Sequence, residues 1–155
     1  MSRIEQALQS LNMTLPVAPK PVAAYVPVRL AGSWAFISGQ IPLQEGHLMA
    51  SGPVPSATSP EMAASAARQC VLNGLAALRT ALGGDLDRVV SVVRVGVFVA
   101  SDPDFTGQPA VADGASKLLV DLLGEAGKHA RAAVGSVSLP LGASVEVEMV
   151  VEVRD

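Results

Sequence analysis

Hydrophobic residues recur at helical spacing in some segments of this chain and alternate with polar residues in others. Residues 2–12 predict a short helix, because Ser2 and Glu5 have the spacing of a capping box and apolar residues recur on one face behind them. Three prolines end this helix and predict an extended connection: Pro16, Pro19 and Pro21.

Two short alternating runs follow, at residues 25–30 and 34–38. Because only three residues of turn type separate them, they predict a β-hairpin. The glycines and prolines of residues 44–55 predict a loop that carries at most a short strand.

Two long helices are predicted in the second half of the chain. The first begins at Ser59, which precedes a proline at the first helical position and an acid in the first turn. It runs to about Leu82, where two glycines end it. The second covers about residues 109–123 and ends at Gly124.

Three further segments are predicted to be strands. Residues 88–100 are apolar on both alternating faces, which is typical of an inner strand. Residues 131–138 and 144–154 follow, and we expect them to be neighbours in the sheet. The order hairpin, helix, strand, helix, strand, strand predicts an α/β (α+β) domain over residues 1–155, with the two long helices on one face of a mixed sheet.

The last strand carries a regular apolar stripe, made of Val145, Val147, Met149, Val151 and Val153. Helices on one face of the sheet leave the other face to be covered. We therefore expect this stripe to be uncovered in one chain and to form an oligomer interface.

Composition narrows the class of function. Aromatic residues are 3% of the chain and the formal net charge is -3, so neither base stacking nor a basic surface for nucleic acid is expected. The chain shows no signal peptide and no apolar run of membrane-spanning length, so no membrane contact and a cytoplasmic location are expected. A small molecule is the expected partner.

Metal and thiol chemistry find little support. Cys70 is the single cysteine and lies among apolar residues in a predicted helix, which favours an inert buried thiol. His47 and His129 are too isolated to predict a metal site. Ser38 lacks the downstream histidine and acid of a catalytic triad, so it is expected to shape a loop or bind substrate.

The candidate chemistry lies near the end of the chain. Arg131 begins a strand of small apolar residues, where a guanidinium is costly to bury unless it meets an anion, and a carboxylate suits it best. Glu146 lies on the following strand, where Arg131 would keep it ionised. The alternatives are a strand-end arginine in a structural salt bridge and, for Glu146, the solvated face of an amphipathic strand.

Several motifs in order resemble the reactive intermediate deaminase (RidA, YjgF) family. They are Tyr25, Ser38-Gly39-Gln40-Ile41-Pro42, Asn73, Asp87-Arg-Val-Val, Phe98-Val99, Arg131-Ala-Ala-Val134, Leu139-Pro140 and Val145-Glu-Val-Glu148. The resemblance implies a chorismate-mutase-like fold, a barrel-like homotrimer, and clefts between subunits that bind small carboxylate-bearing keto or imino acids. It also implies hydrolysis of enamines or imines such as 2-aminoacrylate to 2-keto acids and ammonia, without a cofactor.

The same resemblance implies roles for individual residues. Arg131 would clamp the ligand carboxylate and Glu146 would position water, as the catalytic pair. Tyr25, Ser38 and Gly39 match residues that line the other wall of the cleft.

Two further substrate-binding positions depart from the family pattern. Asp113 stands where the pocket asparagine is expected, and Ala133 stands where characterised members often have cysteine. The N-terminal helix, the insert 124–130 and the segment 105–109 resemble a longer, divergent branch of the family. Asp113 and Ala133 favour an alternative function, a non-catalytic protein that binds or senses a keto acid or another carboxylate. A chorismate-mutase-like pericyclic enzyme is a third hypothesis, based on fold analogy alone.

Overall fold

The computed structural model describes residues 1–18 and 24–155, so the predictions for Pro19 and Pro21 lie outside the described residues. Its helices and strands, in chain order, are α1 (Arg3–Ser10), β1 (Val28–Ala31), β2 (Trp34–Gln40), β3 (Leu43–Gln44), β4 (His47–Leu48), α2 (Pro60–Ala81), β5 (Val89–Ala100), α3 (Gln108–Leu123), β6 (Ala130–Ser136) and β7 (Val145–Val153). No helix in these ranges is long and apolar enough to cross a membrane.

Local capping signals define the helix starts. In α1 the Ser2 backbone N–H donates to the Glu5 carboxylate at 2.8 Å, and the Glu5 N–H donates to the Ser2 hydroxyl at 3.2 Å. This confirms the capping box, although the helix ends earlier than predicted. In α2 the Ser59 hydroxyl accepts from the Met62 N–H at 3.1 Å, as its position before a proline predicts.

Five strands form a mixed sheet in the order β1-β2-β7-β5-β6. Only β5 and β6 run parallel, joined through α3, and the other pairs are antiparallel. The hairpin of β1 and β2 and the inner position of β5 are confirmed. β3 and β4 form a separate small hairpin in the predicted loop.

The expectation that β6 and β7 are neighbours is wrong, because β5 lies between them. β6 pairs with one edge of β5 at Val95 and Arg131, whereas β7 pairs with the other edge at Val95 and Met149. The connection at residues 137–144 therefore crosses the end of β5 instead of forming a hairpin.

The two long helices cover one face of the sheet, as predicted, and they cover the apolar stripe of β7. Every member of that stripe is buried in the core: Val145, Val147, Met149, Val151 and Val153. The prediction that the stripe lies uncovered is therefore wrong. The alternate residues of β7 face away from the helices, and this open face also carries three exposed apolar side chains, Trp34, Phe36 and Val134.

The helices α2 and α3 approach each other closely at Gly114. A Cβ atom on Gly114 would overlap the backbone carbonyl of Ala64 on α2. Because a carbonyl cannot rotate away as a side chain can, the crossing of the two helices depends on a glycine here.

We expect Gly114→Ala to lower the free energy of unfolding by roughly 2 kcal/mol, because the overlap outweighs the better helix propensity of alanine, about 1 kcal/mol. Urea unfolding followed by far-ultraviolet circular dichroism measures the change. Lys117→Ala, at an exposed position on the same helix, is the matched control and should change stability by less than about 0.5 kcal/mol. Unchanged or increased stability of Gly114→Ala would contradict this account of the crossing.

Candidate functional site

Arg131 lies on the edge strand β6 and points to the helix side of the sheet. Its backbone pairs with that of Val95, whose side chain is in the core. Its Nη1 donates to Asp113 Oδ1 at 2.9 Å and to Ser116 Oγ at 3.1 Å, both on α3. The Arg131 side chain is 24% exposed, so the guanidinium is held in place and still reaches solvent.

A histidine completes this network. Ser116 Oγ lies 2.9 Å from His129 Nε2, and His129 Nδ1 lies 2.6 Å from the carbonyl oxygen of Gly127. Because a carbonyl oxygen only accepts, Nδ1 carries a proton, and Nε2 of a neutral ring accepts from the Ser116 hydroxyl. The segment 124–130 thus orients His129, which in turn orients the hydroxyl that binds Arg131.

Sequence reasoning missed the part played by Ser116 and His129. Asp113 and Ser116 are three residues apart and so share one face of α3. That spacing was readable from the sequence, but the docking of this face onto β6 was not.

Glu146 lies on β7 and points to the open face, on the opposite side of the sheet from Arg131. It is half-buried, and its pKa is raised by burial and, to a lesser degree, by the charge of Glu148. A Cβ atom on Gly39 would overlap the Glu146 carboxylate, so the glycine provides the space that this side chain occupies. The expectation that Arg131 keeps Glu146 ionised is not met within one chain.

Tyr25 and Ser38 line a cavity of about 620 Å³ on the same open face. The Ser38 hydroxyl donates to the carbonyl of Val26 at 2.7 Å, so it ties the segment before β1 to β2. Across the cavity, Arg94 Nη1 binds Glu148 Oε1 at 2.8 Å. These contacts favour the loop-shaping role predicted for Ser38.

The predicted site residues therefore fall into two groups. The open face holds Tyr25, Ser38, Gly39 and Glu146, and the helix side of β6 holds Arg131, Asp113 and Ala133. One chain does not bring the two groups together. An arginine for a carboxylate and a carboxyl for proton transfer are both present, but on opposite faces of the sheet.

In the described ranges, no group of three His, Cys, Asp or Glu side chains lies close enough together to bind a metal ion. Cys70 is buried within α2, as predicted, and burial raises the pKa of its thiol. A thiol held in its protonated form is a poor nucleophile.

The sequence is similar to a described protein family and to a protein of known sequence. Residues 5–153 match the family described as "YjgF/chorismate mutase-like, putative endoribonuclease". The chain is 41% identical over 154 residues to Protein TCP17 of Trypanosoma cruzi, covering 99% of this chain and 96% of that protein.

Two solved structures are also similar. Atu1372 from Agrobacterium tumefaciens, described as of unknown function, is 43% identical with a TM-score of 0.92, covering 98% of this chain and 93% of that one. A "putative endoribonuclease" from Shewanella oneidensis is 29% identical with a TM-score of 0.92, covering 97% and 99%.

The raised pKa of Glu146 predicts a pH-dependent stability. Between the unfolded pKa near 4.5 and the higher folded pKa, the folded state binds more protons, so stability falls as pH rises. Glu146→Gln removes this loss, and we expect its melting temperature at pH 7 to exceed the native value by a few degrees at most, because water screens a half-exposed carboxyl.

Thermal unfolding of native protein and Glu146→Gln from pH 3 to 8 tests this prediction. The difference between their melting temperatures should vanish at pH values below the unfolded pKa. Glu45→Gln, on an exposed loop, is the control and should show no such trend. A melting temperature of Glu146→Gln below the native value at pH 7 would contradict the assigned direction.

Proposed function

Since this chain belongs to the YjgF/chorismate mutase-like family, we propose that it hydrolyses reactive enamines or imines related to 2-aminoacrylate, giving 2-keto acids and ammonia. The observation that carries the proposal is the Arg131 guanidinium, which α3 orients at the edge of the sheet while part of it remains exposed. A planar guanidinium binds a small carboxylate through two parallel hydrogen bonds.

We place the reaction in clefts between copies of the chain. In the described ranges β6 is an edge strand, and Glu146 lies on the open face of the sheet. A cleft in which the β6 edge of one copy meets the open face of another would join Arg131 of the first copy to Glu146 of the second. A homotrimer with such clefts would also cover Trp34, Phe36 and Val134.

In the proposed mechanism Arg131 holds the substrate carboxylate, and Glu146 positions a water molecule on the imine carbon. The water oxygen bonds to that carbon as Glu146 accepts one water proton, and the π electron pair of the carbon–nitrogen double bond moves to the nitrogen. Glu146 returns this proton to the nitrogen, which gives a carbinolamine. Glu146 then accepts the hydroxyl proton as the carbonyl forms and passes it to the nitrogen, which takes the electron pair of the breaking carbon–nitrogen bond and leaves as ammonia. A carboxyl with a raised pKa suits this exchange, because a higher pKa makes the carboxylate a stronger base toward the water proton.

One observation favours a second candidate, a protein that binds a small carboxylate without turnover. Within one chain, Arg131 and Glu146 lie on opposite faces of the sheet, so the arginine can bind a carboxylate without a carboxyl beside it for proton transfer. By contrast, a net charge of -3 and 3% aromatic residues give little support to RNA cleavage, which the family description also names.

Release of pyruvate and ammonia from freshly generated 2-aminoacrylate tests the proposed activity. We expect native protein to exceed the spontaneous rate and Arg131→Ala to lose about 10- to 100-fold of that acceleration, because a charge-assisted hydrogen bond contributes about 1.5–3 kcal/mol. Glu146→Gln should lose turnover but retain pyruvate binding. Arg68→Ala, which removes an exposed arginine on α2, should behave as native.

Two outcomes would change the conclusion. Native protein that binds pyruvate but does not accelerate release would favour the binding function. Full activity in Arg131→Ala would remove the carboxylate clamp from the mechanism.

Light scattering tests the proposed assembly. We expect three times the chain mass of 15.8 kDa for native protein at micromolar concentration. Phe36→Glu should lower that mass, because it places a charge on the open face, whereas Met62→Glu alters an equally exposed side chain on the helix layer and should leave it unchanged. A native monomer would contradict a cleft between copies.

A further inference from the structure

The Asp113 carboxylate lies against the arginine that binds the ligand in the proposed function. Asp113 Oδ1 accepts from Arg131 Nη1 at 2.9 Å, and the Asp113 side chain is 48% exposed. A carboxylate at this place changes the charge that a ligand meets.

The N–H groups of the Arg131 guanidinium differ in how many hydrogen bonds they donate. Nη1 gives its two hydrogens to Asp113 and to Ser116, and Nη2 makes one long contact, 3.4 Å, with the carbonyl of Pro109. Over residues 1–18 and 24–155 no group accepts from Nε. The edge formed by Nε and the second Nη2 hydrogen is therefore the place for a ligand carboxylate, bound by two hydrogen bonds.

The two carboxylate oxygens of Asp113 also differ in their hydrogen bonds. Its Oδ1 binds Arg131, while Oδ2 accepts no hydrogen bond from a described side chain or backbone group. Arg131 is the one cation in the described ranges that forms an ion pair with it. The Asp113 charge thus lies at the Nη1 end of Arg131, away from the free Nε edge, and acts on a ligand bound at that edge through its charge and not through a hydrogen bond.

We propose that Asp113 makes the Arg131 site select ligands that carry a carboxylate and a protonated nitrogen on the same carbon, α-amino or α-iminium acids, over plain 2-keto acids. The proposal rests on the proposed function, because it takes Arg131 as the carboxylate-binding group. The charges of Arg131 and Asp113 balance before a ligand arrives. A keto acid adds an unbalanced negative charge, whereas an iminium or amino acid adds a positive charge that Asp113 attracts.

This selection suits imine hydrolysis. The protonated imine is the form whose carbon water attacks most readily, and Asp113 favours that form. When the carbon–nitrogen bond of the protonated imine breaks, the nitrogen leaves as ammonium and takes the positive charge away, and the keto acid that remains is repelled by Asp113. Substrate is held and product is released by the same carboxylate.

L-Alanine and pyruvate form a matched pair of probes, because they share a carbon skeleton and differ in the group on the second carbon. We expect isothermal titration to show native protein binding alanine at least about tenfold more tightly than pyruvate. Asp113→Asn keeps the shape and an oxygen acceptor for Arg131 but removes the charge. It should weaken alanine binding and strengthen pyruvate binding, which shifts the ratio by about tenfold or more.

Asp121→Asn is the control, since Asp121 lies two turns further along α3 and makes no contact with Arg131. The ratio of its affinity for alanine to its affinity for pyruvate should equal that of native protein. The proposed selection would be wrong if Asp113→Asn changed the affinities for alanine and pyruvate equally, or if native protein bound the two probes equally well. Either result would leave Arg131 as the carboxylate-binding group. Native protein that binds neither probe would overturn the clamp itself, and with it the proposed function.

Discussion

Coverage of one face of the five-stranded sheet by α2 and α3 is the constraint on which the rest of the structure depends. Successive side chains of a strand point to opposite faces, so covering the valines and methionine of β7 turns its glutamates to the open side. The same alternation turns Arg131 toward α3 and Glu146 away from it. The packing that forms the core therefore separates the two charged groups of the proposed reaction.

Local signals in the sequence were sufficient for the helices and insufficient for the strand order. The Ser2 and Ser59 caps are short-range hydrogen bonds, so residue types at fixed spacing predict them. The place of β7 depends on contacts with β2 and β5, which are far away in sequence. The predicted connection at residues 139–143 is short and suggested neighbouring strands, but the chain crosses the end of β5 there. Alternation alone did not say which face of β7 the helices would cover.

The candidate site shows the same limit. Arg131 and Glu146 were identified by residue type and family resemblance, yet their surroundings come from tertiary docking. The contact between Arg131 and Ser116 exists because α3 lies against β6, and His129 joins it through the turn at Gly124–Gly127. Asp113 was expected to lie near a ligand, and the structure shows that its carboxylate binds the arginine.

The pairing of Asp113 with Arg131 is hard to explain by stability alone. Both side chains are partly exposed, and an ion pair of this kind contributes about 0–1 kcal/mol to folding. Ser116 and Pro109 already provide acceptors that hold the guanidinium in place. The larger effect of Asp113 is on what approaches Arg131, because the unused Nε edge stays positive while its surroundings are neutral overall. A site with this charge arrangement distinguishes ligands by the charge next to their carboxylate.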